Sequence, residues 1–247
     1  EVIGTTGKGR EIIALKLTQG AGEVPDGTRP AVLYSSTQHA REWISTEVNR
    51  RLLAYFVEQW RANNKTIKKL LQNNEYWFVL VANPDGYQYT FQSPGTRLWR
   101  KNLRDNNGNG TTEVGDGVDP NRNYPEHFKY DEEGSSSVPS SDTYRGTDDA
   151  SEPETQAIVG LYDRIDFAFH VNWHSAGQWL LYPEGWQTGT PTADDPIYFA
   201  LSGNLDNPAI EDFHPGLSSD VLYVTNGETT DFAHSQRGTL AWTPELS

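Results

Sequence analysis

Three residues of types that bind metal ions occupy informative positions in this sequence. His39 lies three residues before Glu42, where a predicted strand gives way to a predicted helix. Side chains three apart at a helix start lie on one face, so this imidazole and carboxylate can reach one ion. His174 ends a second predicted strand, at the kind of sheet edge where α/β proteins bind ligands. Two imidazoles and one carboxylate, with one position left open, are the ligand set of a catalytic rather than a structural zinc site.

The pair formed by His39 and Glu42 is a weak signal when it is taken alone. The spacing H-x-x-E arises by chance, and it also fits a surface histidine beside a glutamate that starts a helix. His170 lies four residues before His174, on the same strand face, but a further ligand would overfill the site. A satisfied or solvent-facing side chain is the better interpretation of the remaining histidines, which are His127, His170, His214 and His234.

The pattern of apolar residues predicts a sheet covered by helices around these positions. Predicted strands span residues 31–35, 75–81, 166–173, 178–182 and 239–243, and predicted helices span 67–71 and 153–164. A further helix follows the first strand, with apolar residues at steps of three and four: Ile44, Val48, Leu52, Tyr55, Phe56 and Trp60. Residues 83–86 predict a turn, and residues 92–149 a long loop of the kind that carries function.

Composition excludes several classes of protein. The 247 residues include no cysteine, which excludes a disulfide scaffold, a zinc finger and a thiol nucleophile. The formal net charge of −14 argues against nucleic acid and anionic membrane surfaces as main partners. No apolar stretch reaches the roughly 18 residues of a membrane span. With no repeat and no linker, the sequence predicts one domain.

Six separated segments make the sequence resemble the zinc metallocarboxypeptidases related to pancreatic carboxypeptidases A and B. They occur in the family's order and span nearly the whole chain: Gln38-His39-Ala40-Arg41-Glu42-Trp43, Asn83-Pro84-Asp85-Gly86-Tyr87, Leu98-Trp99-Arg100-Lys101-Asn102, Val118-Asp119-Pro120-Asn121-Arg122-Asn123, His174-Ser175 and Trp242-Thr243-Pro244-Glu245. The resemblance implies a single-domain α/β fold, with a mixed parallel and antiparallel twisted sheet and helices on both faces. It also implies His39, Glu42 and His174 as the ligands of one Zn²⁺ ion.

The resemblance assigns catalytic roles to two further residues. Glu245 matches the family's catalytic glutamate, and a carboxylate beside activated water can take its proton and pass it to the leaving amine. Arg100 matches the arginine that stabilises the oxyanion of the tetrahedral intermediate. Without the other segments, Glu245 would fit an exposed carboxylate near a chain end, and Arg100 a solvated cluster of basic residues.

Substrate-binding roles follow from the same resemblance. Asn121 and Arg122 match the pair that binds the terminal carboxylate of the substrate, which a guanidinium contacts in a bidentate way. Tyr223 aligns with the mobile tyrosine that closes over the substrate, although a core or interface tyrosine is a competing interpretation. Arg41 aligns with an arginine of the outer subsites, and equally with an ordinary side chain at a helix start.

The residue that sets the C-terminal preference in the family aligns with Thr230, which is neither acidic nor apolar. Glu228 is acidic and close by, so it can also face the pocket and admit a basic residue. We therefore expect a broad pocket that takes apolar and aromatic C-terminal residues, and basic ones as a further possibility.

A second metal candidate lies in the predicted loop. Asp105, Asn107, Asn109 and Asp116 offer oxygens at the spacing of a calcium loop, with Gly110 at the turn. The last residue is Asp rather than Glu and no flanking helix pair is predicted, so a polar turn rich in Asn and Asp is the favoured alternative.

The leading hypothesis is a secreted zinc exopeptidase that releases single C-terminal amino acids. Two alternatives stay open: a related amidohydrolase acting on cell-wall peptides, and a peptide-binding domain without catalysis. The expected partners are peptide and protein C-termini, not nucleic acid or membranes, and the expected state is a monomer. The lack of cysteine suits a bacterial secreted member. We expect residues 1–247 to be the catalytic domain without the family's N-terminal and C-terminal helices.

Overall fold

A seven-stranded mixed sheet forms the centre of the protein in a computed structural model that describes all residues from 1 to 247. The strand order is β10-β7-β11-β6-β4-β5-β3, and two small two-stranded sheets pair β1 with β2 and β8 with β9. The strands are β1 Val2–Thr5, β2 Glu11–Ile13, β3 Leu15–Leu17, β4 Ala31–Ser36, β5 Glu75–Val79, β6 Phe167–Ser175, β7 Trp179–Tyr182, β8 Gly203–Asn204, β9 Asn207–Pro208, β10 His214–Leu217 and β11 Leu240–Leu246.

The helices connect these strands and flank the sheet. They are α1 Trp43–Arg61, α2 Lys65–Asn73, α3 Pro84–Tyr89, α4 Pro153–Tyr162, α5 Asp195–Ser202, α6 Ser218–Val221 and α7 Thr229–Asp231, and α7 continues into a π-helical turn over Phe232–Gln236. Within the central sheet, β4 runs parallel to β5 and β6, and β6 runs parallel to β11. The antiparallel pairs are β3 with β5 and β7 with β11. The mixed sheet implied by the resemblance is therefore confirmed.

Alternation along β5 shows how the sheet has helices on both faces. Tyr76 and Phe78 pack with Phe56, Ile67 and Leu71 from α1 and α2. The intervening residues of the strand point the other way, into a larger core that includes three residues of α4: Trp77 and Val79 with Ala157, Ile158 and Leu161. Successive side chains of a strand point to opposite faces, so a strand covered on both faces is apolar nearly throughout; in β5 only Glu75 is polar.

The predicted helix after the first strand is confirmed as α1, but polar residues occupy part of its inward face. Ser45 and Asn49 are buried, whereas Ile44 and Trp60 are each 42% exposed. Asn49 Nδ2 donates to the Ser36 hydroxyl over 2.9 Å. The helix therefore meets the end of β4 through hydrogen bonds, and it buries apolar side chains farther along.

Residues 83–86 form the start of helix α3 rather than the predicted turn. The Asn83 side chain accepts from the Gly86 N–H over 2.9 Å, which caps the helix, and Pro84 takes its first position. A Cβ on Gly86 would lie 2.5 Å from the Lys101 carbonyl oxygen. The turn prediction was wrong because an Asn-Pro pair also begins helices.

The long predicted loop is confirmed. Between α3 and α4, the only helical segments are 3-10 turns at Pro94–Thr96 and Pro120–Arg122. No helix in the structure has both the length and the apolar character needed to cross a membrane.

Candidate metal centre and active site

His39, Glu42 and His174 meet at the carboxyl end of two parallel strands. His39 and Glu42 follow β4, in the segment that leads into α1, and His174 lies near the end of β6. The distances are 2.7 Å from His39 Nδ1 to Glu42 Oε1, 2.9 Å from His174 Nδ1 to Glu42 Oε2, and 2.9 Å between the two Nδ1 atoms. All three side chains are buried. We call this group the metal corner.

The donor set of the metal corner fits a zinc ion. One ligand atom from each residue lies within 4.8 Å of the other two, and neutral imidazoles and an ionised carboxylate are zinc's ordinary ligands. Burial by itself would raise the pKa of the Glu42 carboxyl, but His39 and His174 hold that pKa well below its usual value. Glu42 therefore keeps the charged form that a metal ligand needs.

Asp119 supports the metal corner from behind. His39 Nε2 donates to Asp119 Oδ1 over 3.0 Å, which leaves Nδ1 free to offer its lone pair. The other oxygen of Asp119 accepts from Arg100 Nη2 over 2.9 Å. Burial would raise the pKa of Asp119, but Arg100 and His39 hold it well below its usual value. Asp119 is absent from the predicted site residues, although it lies within one of the six quoted segments.

Glu245 and Arg100 both lie beside the metal corner. Glu245 on β11 is the register partner of His174 on β6. Burial raises the pKa of the Glu245 carboxyl, and the Glu42 charge adds to that shift against the opposing effect of His174. Arg100 Nη1 lies 3.7 Å from Glu42 Oε1. The structure thus brings both predicted catalytic residues to the three predicted ligands.

Asn121 and Arg122 form a buried 3-10 turn next to Asp119. The Arg122 guanidinium is buried, donates from Nη1 to the Asn121 carbonyl oxygen over 2.7 Å, and forms no ion pair. Its Nε has no hydrogen-bond partner. A buried cation without an anionic partner is costly, so this side chain is suited to receive an anion from outside.

Tyr223 and Arg41 lie at the exposed edge of the site. Tyr223 is 50% exposed and lies close to Arg100. Arg41 donates to the Leu98 carbonyl and to Asp142 Oδ2, each over 3.2 Å, and is not hydrogen-bonded to the metal corner.

Thr230 and Glu228 lie in a group of buried carboxylates. The Glu228 carboxylate accepts from the Thr225 hydroxyl over 2.6 Å and from the Thr230 hydroxyl over 2.9 Å. Gly185 packs closely against Glu228, since a Cβ atom on Gly185 would lie only 2.5 Å from Glu228 Oε1. The Gly185 N–H donates to Asp231, over 2.9 Å to Oδ1. We call Glu184, Glu228 and Asp231, which surround Gly185, the acidic cluster.

The acidic cluster carries more negative charge than its neighbours balance. None of its carboxylates forms an ion pair with Lys or Arg; His234 Nδ1, 3.4 Å from Glu184 Oε1, is the one basic partner within ion-pair distance. Glu184 Oε2 is buried without a hydrogen-bond partner. Burial, together with the Glu228 and Glu184 charges, raises the pKa of Asp231 well above its usual value. Glu184 and Asp231 were not predicted, because no local pattern links them to Glu228.

Thr229 connects the acidic cluster to the residues around the metal corner. Its hydroxyl donates to Asn121 Oδ1 over 2.7 Å, and its N–H donates to the same atom over 3.0 Å. The same hydroxyl accepts from Gln38 Nε2 over 2.8 Å. Gln38 immediately precedes His39 in the chain. Glu228 of the acidic cluster is therefore the chain neighbour of Thr229, whose side chain contacts Asn121.

The predicted calcium loop uses its oxygens internally. Asp105 accepts from the N–H groups of Gly108 and Gly110, each over 2.7 Å. Asp116 accepts from the N–H groups of Asn106 and Glu113, each over 3.0 Å. Asn107 and Asn109 likewise cap backbone N–H groups of the loop. These are the bonds of the polar turn that was the favoured alternative, and they give calcium no support.

A buried corner of two imidazoles and one carboxylate, with a further carboxyl in register beside it, has the ligand set of a catalytic zinc site. All of residues 1–247 match the family described as zinc carboxypeptidase. The chain belongs to this family, as the six segments indicated.

Individual relatives agree with this assignment. The chain is 32% identical to the "Metallocarboxypeptidase A-like protein" of Trichophyton verrucosum over 98% of its own length and 56% of the relative's. It is 32% identical to "Carboxypeptidase A1" of Mus musculus, over 99% and 56%. The crystal structure of carboxypeptidase A from Helicoverpa armigera superposes with a TM-score of 0.81 at 27% identity, covering 99% of this chain and 58% of that one. The chain thus spans about half the length of the curated relatives it matches.

Proposed function

We propose that this chain carries the active site of a zinc-dependent exopeptidase, which hydrolyses the last peptide bond of a substrate and releases one amino acid. Family membership supports peptide hydrolysis at the C-terminus. The observation that carries the exopeptidase assignment is the Arg122 guanidinium, which is buried beside the metal corner without an anionic partner. A free chain end supplies the carboxylate that this guanidinium lacks.

In this proposal, His39, Glu42 and His174 hold the zinc ion. A zinc ion there supplies Lewis-acid activation of water and of the scissile carbonyl group. The His39 imidazole is held in the required tautomer by Asp119, which accepts its Nε2–H over 3.0 Å.

Glu245 takes the proton of the attacking water and then delivers it to the nitrogen of the departing amino acid. Burial raises the pKa of its carboxyl above the usual value, which favours taking up the proton before its return to the leaving nitrogen. Arg100 lies 3.7 Å from Glu42, and its fixed positive charge stabilises the negative charge that develops on the carbonyl oxygen. Tyr223 closes the exposed side of the site, and Arg41 contacts residues farther along the substrate.

Asn121 and Arg122 bind the terminal carboxylate, and the side chain of the last residue points toward the acidic cluster. Thr230 is bonded to Glu228 rather than free, so Glu228 supplies the charge at this position. A Lys or Arg side chain would balance Glu228 and Asp231, which form no ion pair, unlike Glu184 with its His234 partner. We therefore place basic C-terminal residues first in the preference, ahead of the apolar and aromatic residues that a broad pocket also takes.

The two alternative functions are less well supported. A peptide-binding domain without catalysis does not need the complete set formed by the metal corner and Glu245, which this chain retains. An amidohydrolase acting on cell-wall peptides shares the metal chemistry, and the released product distinguishes it. A secreted location and a monomeric state remain predictions.

The test compares two peptides that differ only at the C-terminus, one ending in free Arg and the other in Arg amide. We expect the zinc-loaded protein to release arginine from the first and nothing from the second, because the amide has no carboxylate for Arg122. A chelator should abolish release and zinc should restore it. Equal cleavage of both peptides would refute the exopeptidase assignment, and internal cleavage products would indicate an endopeptidase or amidase.

A further inference from the structure

A line of buried polar side chains runs away from the metal corner, starting at His174 as Asp119 starts at His39. His170, Asn172 and His174 alternate along β6 and so point to one face. Ser35 on β4 is the register partner of Asn172. His170, Asn172 and Ser35 are completely buried, and Tyr162 of α4 is 6% exposed. Neither the metal chemistry nor the substrate-binding turn accounts for this line.

Hydrogen bonds connect the line without a break. Asn172 Nδ2 donates to His174 Nε2 over 2.9 Å, and Ser35 Oγ donates to Asn172 Oδ1 over 2.8 Å. Ser35 Oγ also lies 2.7 Å from His170 Nε2, and His170 Nδ1 lies 2.9 Å from the Tyr162 hydroxyl. We call Asn172, Ser35, His170 and Tyr162 the hydrogen-bond relay.

The atoms of the relay fix the direction of its hydrogen bonds. Because the Ser35 hydroxyl proton goes to Asn172, His170 Nε2 must donate to Ser35. His170 stays neutral, since burial and the nearby His174 lower its pKa to about 3. With its one proton on Nε2, its Nδ1 accepts from the Tyr162 hydroxyl. Every hydrogen bond of the relay therefore points toward His174 Nε2, which acts as an acceptor.

A metal at His174 Nδ1 requires the opposite direction. An imidazole that gives the Nδ1 lone pair to a metal carries its proton on Nε2 and becomes a donor there. Asn172 must then present its oxygen to His174 and donate from Nδ2 to Ser35. Ser35 in turn donates to His170 Nε2, and the His170 proton moves to Nδ1.

The surroundings permit this reversal. Gln38 Oε1 accepts from Asn172 Nδ2 over 3.2 Å, so Gln38 must turn its amide together with Asn172. The opposite side of Gln38 meets the hydroxyls of Tyr124 and Thr229, at 2.9 Å and 2.8 Å from Nε2. Hydroxyl groups can donate or accept, so Tyr124 and Thr229 can both donate to a turned Gln38. Thr229 then gives up its hydroxyl bond to Asn121 Oδ1, which keeps the Thr229 N–H.

We propose that the hydrogen-bond relay positions His174 and reverses direction when His174 binds the metal, with a change of His170 tautomer. Asn172, Ser35, His170 and Tyr162 are positioning residues in this proposal, since none of them touches the substrate. A polar side chain at each place keeps the buried Nε2–H of the metal-bound His174 satisfied, as Asp119 does for His39. The proposal rests on the assignment of His174 as a metal ligand, and not on the choice of substrate.

The direct test follows the His170 tautomer by ¹⁵N NMR of histidine-labelled protein, with the signals assigned by their loss in His170→Gln. We expect the Nε2–H tautomer in metal-free protein and the Nδ1–H tautomer after one equivalent of zinc. The same tautomer in both samples would overturn the proposal. A purely structural His170 would show no change.

A pair of neighbouring serines provides the matched test by mutation. Ser35 and Ser36 are both fully buried on β4, but the Ser36 hydroxyl bonds to the Leu80 carbonyl and Asn49 instead of the relay. Loss of an outer partner typically weakens metal binding by about 10- to 100-fold. We expect a loss of zinc affinity of about tenfold or more for Ser35→Ala and less than about threefold for Ser36→Ala, measured by chelator competition.

Equal losses of zinc affinity in the two variants would contradict the proposal. If Ser35→Ala fails to fold, the NMR experiment on wild-type protein still decides. Neither measurement uses a peptide. A protein that binds zinc with the predicted tautomer change but cleaves nothing would therefore refute the proposed function alone.

Discussion

The metal corner and the acidic cluster are both built from buried ionisable side chains, yet they differ in how their charges are balanced. At the metal corner, Glu42 and Asp119 have His39, His174 and Arg100 within ion-pair distance. Glu184, Glu228 and Asp231 in the acidic cluster have one histidine partner, on Glu184, and no Lys or Arg.

The electrostatic consequences are opposite in sign. The pKa values of Glu42 and Asp119 are held below their usual values by basic neighbours, whereas burial and neighbouring carboxylates raise the pKa of Asp231. Arg122 shows the complementary feature, a buried guanidinium that forms no ion pair. A substrate with one carboxylate and one basic side chain would therefore balance the charges of both Arg122 and the acidic cluster. The charges of the metal corner are balanced without a substrate.

The largest expected effect comes from replacing Glu245, the proposed general base beside the metal corner. Glu245→Gln keeps the size of the side chain but cannot accept a proton. We expect kcat to fall by about 10²- to 10⁴-fold, because general base catalysis is lost. Zinc content should remain at one equivalent, since Glu245 is not among the three converging ligands. Activity within tenfold of wild type would refute the assignment of the base.

Two neutralising substitutions test the charge balance itself. Asp119→Asn removes an ion-pair partner from Arg100, whose side chain is only 10% exposed, and breaking a buried pair typically costs about 3–5 kcal/mol of stability. Asp231→Asn should leave stability unchanged or increase it, because it relieves repulsion with Glu228 and Glu184. Denaturant unfolding of both variants checks this contrast, and an equal loss in both would remove the distinction between the two regions.

Substrate selection should depend on the charge of Glu228. Glu228→Gln would lower kcat/KM for a peptide ending in Arg, because a hydrogen bond to a charged group contributes about 1.5–3 kcal/mol, or roughly 10- to 150-fold. The value for the same peptide ending in Phe should change by less than about threefold. Glu154→Gln is the control, since Glu154 is a buried carboxyl outside the acidic cluster. A parallel fall for both peptides would mean that Glu228 has only a structural role.

The smallest expected effect is a difference between wild type and Asp231→Asn in how stability depends on pH. A carboxyl with a raised pKa in the folded state binds its proton more tightly there than in the unfolded chain. Asp231 therefore contributes most stability at pH values below its unfolded pKa of about 3.9, and that contribution is lost as the pH rises through its folded pKa. Asp231→Asn should remove this decline. Identical pH profiles for variant and wild type would show that Asp231 titrates normally.

The metal corner was predicted from a weak local pattern that the resemblance of the six segments turned into a full ligand set. His39 and Glu42 are three residues apart, and His174 ends a strand whose alternation is visible. The central strands β4, β5, β6 and β11 and the helices α1, α2 and α4 were predicted from local patterns too. Short strands such as β1 to β3 have too few apolar residues to be recognised.

The acidic cluster was only partly predictable because its residues come from separate segments. Glu228 was predicted by counting from Tyr223, but Glu184 follows β7 and Asp231 ends α7. Their proximity depends on Gly185, whose carbonyl accepts from the Thr225 N–H over 2.8 Å and whose N–H donates to Asp231 over 2.9 Å; no periodicity encodes these contacts. Tertiary packing likewise decided that Asn83 caps a helix where the sequence predicted a turn.

The most direct measurement compares two peptides that end in Arg and in citrulline. The two residues have nearly the same shape, but only Arg is charged. The balance of charges described above predicts that wild-type zinc-loaded protein releases both residues and favours Arg in kcat/KM by about tenfold or more. An equal rate for the two peptides, or a preference for citrulline, would contradict the central claim that the acidic cluster is completed by a basic side chain of the substrate.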